Sequence, residues 1–437
     1  MVLNDVLRLV PARIPVGVPS VEFEGACIDS RAVTPGSLFV GLRGESQDGG
    51  TFAYDALRAG AVAAVVSESA YRWVEPDLLV LRKPVIVAED PLGVLQTAGR
   101  LALERLGARV VAVTGATGKT TTKDILVAML RAAGVDAAGT PGNMNTDIGV
   151  PMALLGLAEG TQVAVVEMGM RGMGQIAELA RLAPPDVACI TAIGPVHLEL
   201  VGSVEAVAAA KAEALEALRP GGVAVVPRDE PLLDTHVAAL PEGVRVLRFG
   251  DRPEVDLDLP GLAKGWQLRN AAAAYACCAA LGMAPPAGTR VEVELSAMRG
   301  QERPLASGGI LIEDCYNANP VAMAAALRDL VARPGRRVAV LGDMRELGPQ
   351  EAGFHREVGG LAASLGVDLL VAVGDLARHY VEGAGGAVES VWFPTVEEAV
   401  AGAGALLGPQ DVVLVKGSRG MALERVGAAI APVGSGV

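Results

Sequence analysis

Val110-Val111-Ala112-Val113-Thr114-Gly115-Ala116-Thr117-Gly118-Lys119-Thr120-Thr121-Thr122 sets the reading of the whole chain. An apolar, β-branched run of strand type ends abruptly in a turn bounded by Gly115 and Gly118. Lys119 and three threonines follow, and the apolar spacing predicts a helix from Lys123 to Ala133. Strand, glycine turn and helix in that order make a phosphate-binding unit. The glycines let backbone N–H groups turn towards phosphate oxygens, and a helix N-terminus adds a favourable field for anions. Thr114, Gly115, Ala116, Thr117, Gly118, Lys119, Thr120 and Thr121 are therefore expected to bind ATP. Lys119 would lie against the terminal phosphates, with Thr120 or Thr121 on Mg²⁺. The loop is short: Ala116 and Thr117 alone separate its glycines, where the common form has four residues. The competing reading is a tight strand-to-helix turn with an incidental lysine. Gly-Lys-Thr-Thr directly after a strand of buried type argues against it.

Working outward, 437 residues are too many for one core, and two or three domains are expected. Hydrophobic residues make up 51% of the chain but aromatic residues only 3%. Ala, Val, Leu and Gly therefore carry the apolar share, which suits α/β layers. Lys plus Arg number 37 against 50 Asp plus Glu, a net charge of −13 that disfavours nucleic-acid binding. Cys27, Cys189, Cys277, Cys278 and Cys315 are scattered without metal spacing. They read as small buried residues in a reducing compartment. No N-terminal signal pattern is present. The longest uncharged stretch, Asn270 to Thr289, is mostly alanine and is broken by Pro285-Pro286. A soluble cytoplasmic protein without membrane insertion is expected.

Residues 1–98 read as a small α/β domain, with strand-type runs at Gly25–Asp29, Leu38–Leu42, Val62–Val66 and Val85–Val87. Ser30 and Arg31 lie in a polar turn after the first run, and Asp48 follows the second. They would suit a diphosphate or a sugar, although such turns are commonly just solvated. Pro91 to Leu106 has helical spacing and leads into residues 99–298, the domain of the phosphate loop. There Asn143, Asn145 and Thr146 lie in a polar segment expected at the carboxyl edge of a parallel sheet. Glu167 closes the strand Val163–Val166, His197 follows the strand Val187–Thr191, and Ser203 opens a helix. Thr120, Thr121, Glu167 and His197 thus fall at successive strand ends on one sheet edge, a set able to hold Mg²⁺ on ATP phosphates. Lys211, among alanines on the helix opened by Ser203, reads by itself as a solvated lysine.

Residues 299–437 repeat the strand–helix alternation of a doubly wound sheet. Polar groups follow its strands: Asp314, Tyr316, Asn317 and Asn319 after Ile310–Ile312, Gly342-Asp343-Met344 after Val338–Leu341, and Lys416, Ser418 and Arg419 at the last strand. Pro320 suits the first position of the next helix. His236, His355 and His379 have no partner pattern and read as surface or satisfied side chains.

Taken together, these motifs resemble the Mur ligases, the ATP-dependent amide-forming enzymes of peptidoglycan precursor synthesis. The likeness spans nearly the whole chain. Thr-Gly-Ala-Thr-Gly-Lys-Thr-Thr, Glu167, His197 and Ala210-Lys211-Ala212-Glu213 are shared across that superfamily. Asp314-Cys315-Tyr316-Asn317-Ala318-Asn319-Pro320, Leu341-Gly342-Asp343-Met344-Arg345-Glu346-Leu347-Gly348 and Lys416-Gly417-Ser418-Arg419 are more specific. They resemble the branch that joins D-alanyl-D-alanine to UDP-N-acetylmuramoyl-tripeptide. The resemblance implies three α/β domains: a small uridine-nucleotide (UDP-MurNAc) domain, a central P-loop ATPase-type parallel-sheet domain and a C-terminal Rossmann-like domain. It implies a monomer using two Mg²⁺ ions, one on Thr120 or Thr121 with Glu167, the other on His197 and a CO₂-derived carbamate of Lys211.

By the same resemblance Lys119, His197 and Lys211 are catalytic, and Asn270, Arg299, Asp314 and Asn317 join the ATP site. The substrate set is Ser30, Arg31, Asp48, Asn143, Asn145, Thr146, Tyr316, Asn319, Lys416, Ser418 and Arg419. Five positions depart from the pattern: Thr117 replaces an Asn, Trp266-Gln267 a His-Asn pair, Gly50 a His, and Met298 the Gly before Arg299. Two alternatives stand beside this reading: a folylpolyglutamate synthase, which shares the central site but lacks the uridine domain, and a phosphate-loop switch that performs no ligation.

Overall fold

The computed structural model describes residues 1–18, 20–262, 265–305 and 307–431. Three α/β units follow one another, each built on its own sheet. In the first, β1 (Ala12–Val16), β2 (Ala26–Cys27), β3 (Leu38–Val40), β4 (Ala63–Val66) and β5 (Val85–Ala88) lie in the order β1-β5-β4-β3-β2, with only β1 antiparallel. The second sheet contains β6 (Arg109–Thr114), β7 (Ala137–Gly139), β8 (Val163–Glu167), β9 (Val187–Ile190), β10 (Val223–Pro227) and β11 (Arg245–Phe249). It is wholly parallel, in the order β11-β10-β9-β6-β8-β7. The third has β12 (Gln301–Pro304), β13 (Ile310–Glu313), β14 (Arg337–Gly342), β15 (Leu369–Val373), β16 (Glu389–Phe393) and β17 (Val412–Lys416). Its order is β12-β13-β17-β14-β15-β16, and only β12 runs against the rest.

The sheets form because both faces of their inner strands are apolar. On β6, Val110 and Ala112 pack into one layer while Val111 and Val113 pack into the layer behind. Each such fully buried valine is worth roughly 1.5–3 kcal/mol. Strand order in the central sheet reverses at β6, and ligands bind at such a point. The Pro91–Leu106 helix joins the first two units: Val94, Leu95 and Ala98 lie in the core under the first sheet, and Leu103 in that of the second. Gly99 lets it approach the Gly149–Leu155 helix, since a Cβ there would lie 2.7 Å from Pro151 Cα.

The helix expected from Lys123 begins at Lys119. Gly118, at φ +82°, turns the chain sharply enough for the helix to start inside the phosphate loop. All five cysteines are buried and free, and among the described residues no helix is long and apolar enough to cross a membrane.

In the third unit His355 is fully buried, accepting from the Met344 N–H at 3.0 Å through Nε2, with Nδ1 2.6 Å from the Glu351 carbonyl. Burial pushes its imidazole down from 6.5 to about 4. The unfolded chain therefore takes up this proton at higher pH than the folded one. The stabilisation is complete above 6.5 and is lost as pH falls towards 4, by about 1.4 kcal/mol per pH unit between them. His355→Gln retains an acceptor without that proton. Its melting temperature is expected to fall less than the parent's between pH 7 and pH 5; equal falls would show that His355 carries none of the acid sensitivity.

Candidate active site

The phosphate loop is built from its neighbours. Thr114 is fully buried and spends its hydroxyl on the Met168 carbonyl at 2.9 Å, so it braces β6 against β8 and does not face a ligand. Gly115, at φ +149°, has no room for a Cβ, which would strike Thr191 Oγ1. Thr191 Oγ1 in turn donates to the Thr117 carbonyl at 2.5 Å, pinning the loop to the end of β9. At Gly118 a Cβ would meet Asn270 Oδ1 at 2.5 Å, which places the Asn270 amide directly against the loop. Lys119 Nζ folds back onto the Gly115 carbonyl at 2.9 Å.

Around this loop lies a cleft of about 800 Å³. From the central unit it takes Ala116 through Thr121, Asn143, Asn145, Thr146, Glu167, His197 and Asn270. The third unit contributes Arg299, Asp314, Tyr316, Asn317, Asn319, Lys416, Ser418 and Arg419. Side chains expected from distant parts of the sequence are thus brought together. Thr114, Gly115 and Lys211 do not line it, nor do Ser30, Arg31 and Asp48 of the first unit. There Arg31 pairs with Asp29 at 2.6 Å and its side chain is 88% exposed, while Asp48 accepts from Ser67 at 2.6 Å and caps Gly50 at 3.0 Å.

One acid in the cleft and one base behind it stand out physically. Glu167 is buried; Oε1 accepts from Asn145 Nδ2 at 2.7 Å, whereas Oε2 is buried with no partner. A carboxylate oxygen left so inside a protein is costly unless something cationic meets it. Lys211 corrects its plain sequence reading as a solvated residue: it is 1% exposed. Its helix, Val204–Glu216, turns the stripe of Glu205, Ala209, Glu213 and Glu216 outward, and Lys211 lies on the opposite, covered face. Burial first, then the Lys119 cation, hold its amine well below the usual lysine range. The nearby Glu213 carboxylate is spent on the Gly174 and Ala177 N–H groups. Lys119 is lowered mainly by burial and supported by Glu167. Burial also lowers His197, against the pull of Glu346.

Several residues of the site escaped the sequence reading. Lys123 lies one turn beyond Lys119, is buried, and donates to the Thr140 carbonyl at 2.8 Å, tethering the segment that carries Asn143 and Asn145. Glu346 crosses from the third unit to His197 and to Arg171. Of the residues the sequence did single out, Arg299 donates to Thr120 Oγ1 at 3.0 Å and lies over the Tyr316 ring at 3.8 Å. Lys416 and Asp314 are mutually paired at 2.6 Å. The Leu341–Gly348 segment was the available signal for Glu346; nothing in the local sequence marks Lys123 or Arg171.

A parallel-sheet phosphate loop under a second doubly wound sheet, with the cleft between them, defines a multidomain nucleotide-dependent enzyme of the α/β class. Family comparison narrows this. Residues 22–109 match "Mur ligase family, catalytic domain", residues 113–273 "Mur ligase middle domain", and residues 298–419 "Mur ligase, glutamate ligase domain". The UDP-N-acetylmuramoyl-tripeptide–D-alanyl-D-alanine ligase of Bacillus subtilis is 34% identical over 429 residues, 92% of each chain. MurF from Acinetobacter baumannii superposes with a TM-score of 0.85 at 28% identity, covering 98% of both chains. MurF from Thermotoga maritima in complex with ADP gives 0.78 at 28% identity, over 93% of this chain and 97% of that one. The chain belongs to the Mur ligase family.

Proposed function

We propose that this chain joins D-alanyl-D-alanine to UDP-N-acetylmuramoyl-tripeptide in the cytoplasm, as a monomer, with ATP cleaved to ADP and phosphate. The substrates are those named for its relatives. The observation that carries the chemistry is the group of half-buried Lys119 with buried Glu167 and Lys211, with Glu167 Oε2 unpaired, beyond the end of the phosphate-loop strand. A terminal carboxylate is a poor electrophile. Transfer of the ATP γ-phosphoryl group to it makes an acyl phosphate. The dipeptide amine attacks the acyl carbon, the tetrahedral adduct collapses, the C–O bond to phosphate breaks, and the amine proton is lost.

Each part of the cleft has work in this sequence. Lys119 and the loop N–H groups neutralise charge on the transferring phosphoryl group, where positioning and electrostatics dominate. Asn270 and Arg299 flank the loop on the nucleotide side, together with Asp314 and Asn317. Asn143, Asn145, Thr146 and Tyr316 hold the acceptor, and Asn319, Lys416, Ser418 and Arg419 the incoming dipeptide. The third unit already roofs the loop, with Asn319 Nδ2 donating to the Ala116 carbonyl at 3.4 Å. That roof keeps water from the acyl phosphate.

The residues present fit divalent cations. Glu167 Oε2 is an orphaned buried oxygen beside the threonine hydroxyls of the loop. Thr120 or Thr121 with Glu167 would hold one Mg²⁺, and His197 with a carbamate on Lys211 the other. The carbamate forms when the Lys211 amine bonds to CO₂ and loses a proton, which requires the neutral amine that burial favours. Mg²⁺ supplies charge neutralisation of the polyphosphate when bound.

The test is direct. Purified protein, ATP, the UDP-linked tripeptide and D-alanyl-D-alanine should give the UDP-linked pentapeptide by mass spectrometry, with one phosphate released per product. Phosphate release without product would favour the switch, and ligation independent of the UDP moiety a folylpolyglutamate-type ligase. Precursors carrying lysine, ornithine or diaminopimelate would identify the third residue. Arg31 lies exposed in the short Ser30–Ala32 turn of the first unit, outside the cleft. Arg31→Ala is expected to raise KM for the UDP-linked substrate roughly 10–100-fold, the value of a charged hydrogen bond, and to leave KM for ATP unchanged. A change confined to ATP would remove the first unit from substrate binding.

A further inference from the structure

Two loops meet across the cleft in a conformation that side chains other than glycine avoid. His197, after β9, has φ +54°, and Glu346, after β14, has φ +64°. Both lie in the left-handed region, which is held only where the surroundings enforce it. They touch: Glu346 Oε2 lies 2.5 Å from His197 Nδ1, while Oε1 accepts from Arg171 at 3.0 Å. The Glu346 loop is fixed from behind by its own unit. Met344 N–H donates to His355 and Arg345 N–H to Ser418 Oγ, both at 3.0 Å. The carboxylate is thus delivered to the imidazole by a rigid part of the third unit.

A carboxylate only accepts, so the proton at this contact sits on Nδ1. The neutral ring then presents the lone pair of Nε2. A carboxylate behind a histidine fixes its tautomer, orients the ring and raises its basicity towards a cation. We propose that Glu346 is the positioning residue for His197, so that seating the third unit on the central one completes the cation site. The proposal rests on the function given above insofar as His197 meets a metal ion. Arg171 is the exposed outer arm of the contact and serves to hold Glu346.

The test uses the full-length protein and two readouts that do not depend on turnover. Nitrogen-15 NMR of labelled histidine, with His197→Gln to assign the signal, reports which ring nitrogen carries the proton. Electron paramagnetic resonance measures Mn²⁺ binding in the presence of a non-hydrolysable ATP analogue. Glu346→Gly removes the carboxylate while relieving the backbone, since glycine accepts a positive φ. Glu346→Gln keeps the shape without the charge, and Arg171→Ala removes only the outer arm. The parent is expected to hold the proton on Nδ1. In Glu346→Gly it should redistribute to Nε2, and Mn²⁺ affinity should fall about 10–100-fold, the usual cost of losing such a partner. Glu346→Gln should fall between, and Arg171→Ala should stay within about threefold of the parent. An unchanged tautomer with unchanged Mn²⁺ affinity in Glu346→Gly overturns the proposal. So does an equal loss in Arg171→Ala, which would make the contact a plain tether between units. Should the parent fail to join the dipeptide, the functional reading falls, and the tautomer still decides this inference.

Discussion

Lys211→Ala is expected to remain folded and to lose ligation by at least about 100-fold, the scale on which removing one preorganised electrostatic group acts. The side chain is buried among the alanines of its helix, and its Nζ donates no hydrogen bond to a described residue. As an ammonium it would bear desolvation and repulsion from Lys119, which attraction to Glu213 and Glu167 offsets only in part. Removing it therefore leaves a small cavity but also deletes a poorly solvated amine, so the melting temperature should change by only a few degrees. A lysine of merely structural use would give the opposite pattern, a lower melting temperature with normal turnover. If the amine acts as its carbamate, acetate or formate should enter the vacated space and restore part of the rate, while small amines should not. Carbon-13 bicarbonate should give a carbamate resonance in the parent that is missing from the variant. Full activity of Lys211→Ala without any additive would sink both the carbamate and the second cation.

Lys119→Ala is the second large effect expected, a fall of about 10²–10³-fold or more in turnover with the fold intact. In this structure the ammonium rests on the Gly115 carbonyl, one charged hydrogen bond that contributes about 1.5–3 kcal/mol at most to stability. Against a transferring phosphoryl group the same charge works in a cleft that the third unit shields from water, where it is worth far more. Turnover should therefore suffer much more than stability. Circular dichroism and a melting curve establish the fold, and single-turnover phosphate release measures the step. Near-normal turnover in a folded Lys119→Ala protein would remove the phosphate-loop assignment altogether.

The sequence by itself determined the inner strands and the order of the three α/β units. Strands such as β4, β6, β8, β15 and β17 are buried on both faces and read as continuous apolar runs. The runs did not reveal β1, β7, β11, β12 and β16, and every one of these lies at a sheet edge. An edge strand has a neighbour on one side only, so exposed and apolar residues mix: Gln301–Pro304 carries no apolar run, and Glu389–Phe393 only Val391-Trp392-Phe393, with Trp392 exposed. The Glu68–Leu81 helix was hidden by Pro76, which a helix held by tertiary packing tolerates. Glu167 and His197 were legible as strand-end residues because a parallel sheet collects such ends on one edge. Only the tertiary structure decided Lys211, Lys123 and Glu346. Whether a lysine is solvated depends on what lies over its helix, and the alanines beside Lys211 do not tell a covered face from a second solvated one. Glu346 reaches His197 across 149 residues of chain, through a contact that exists only once two separately folded sheets have docked.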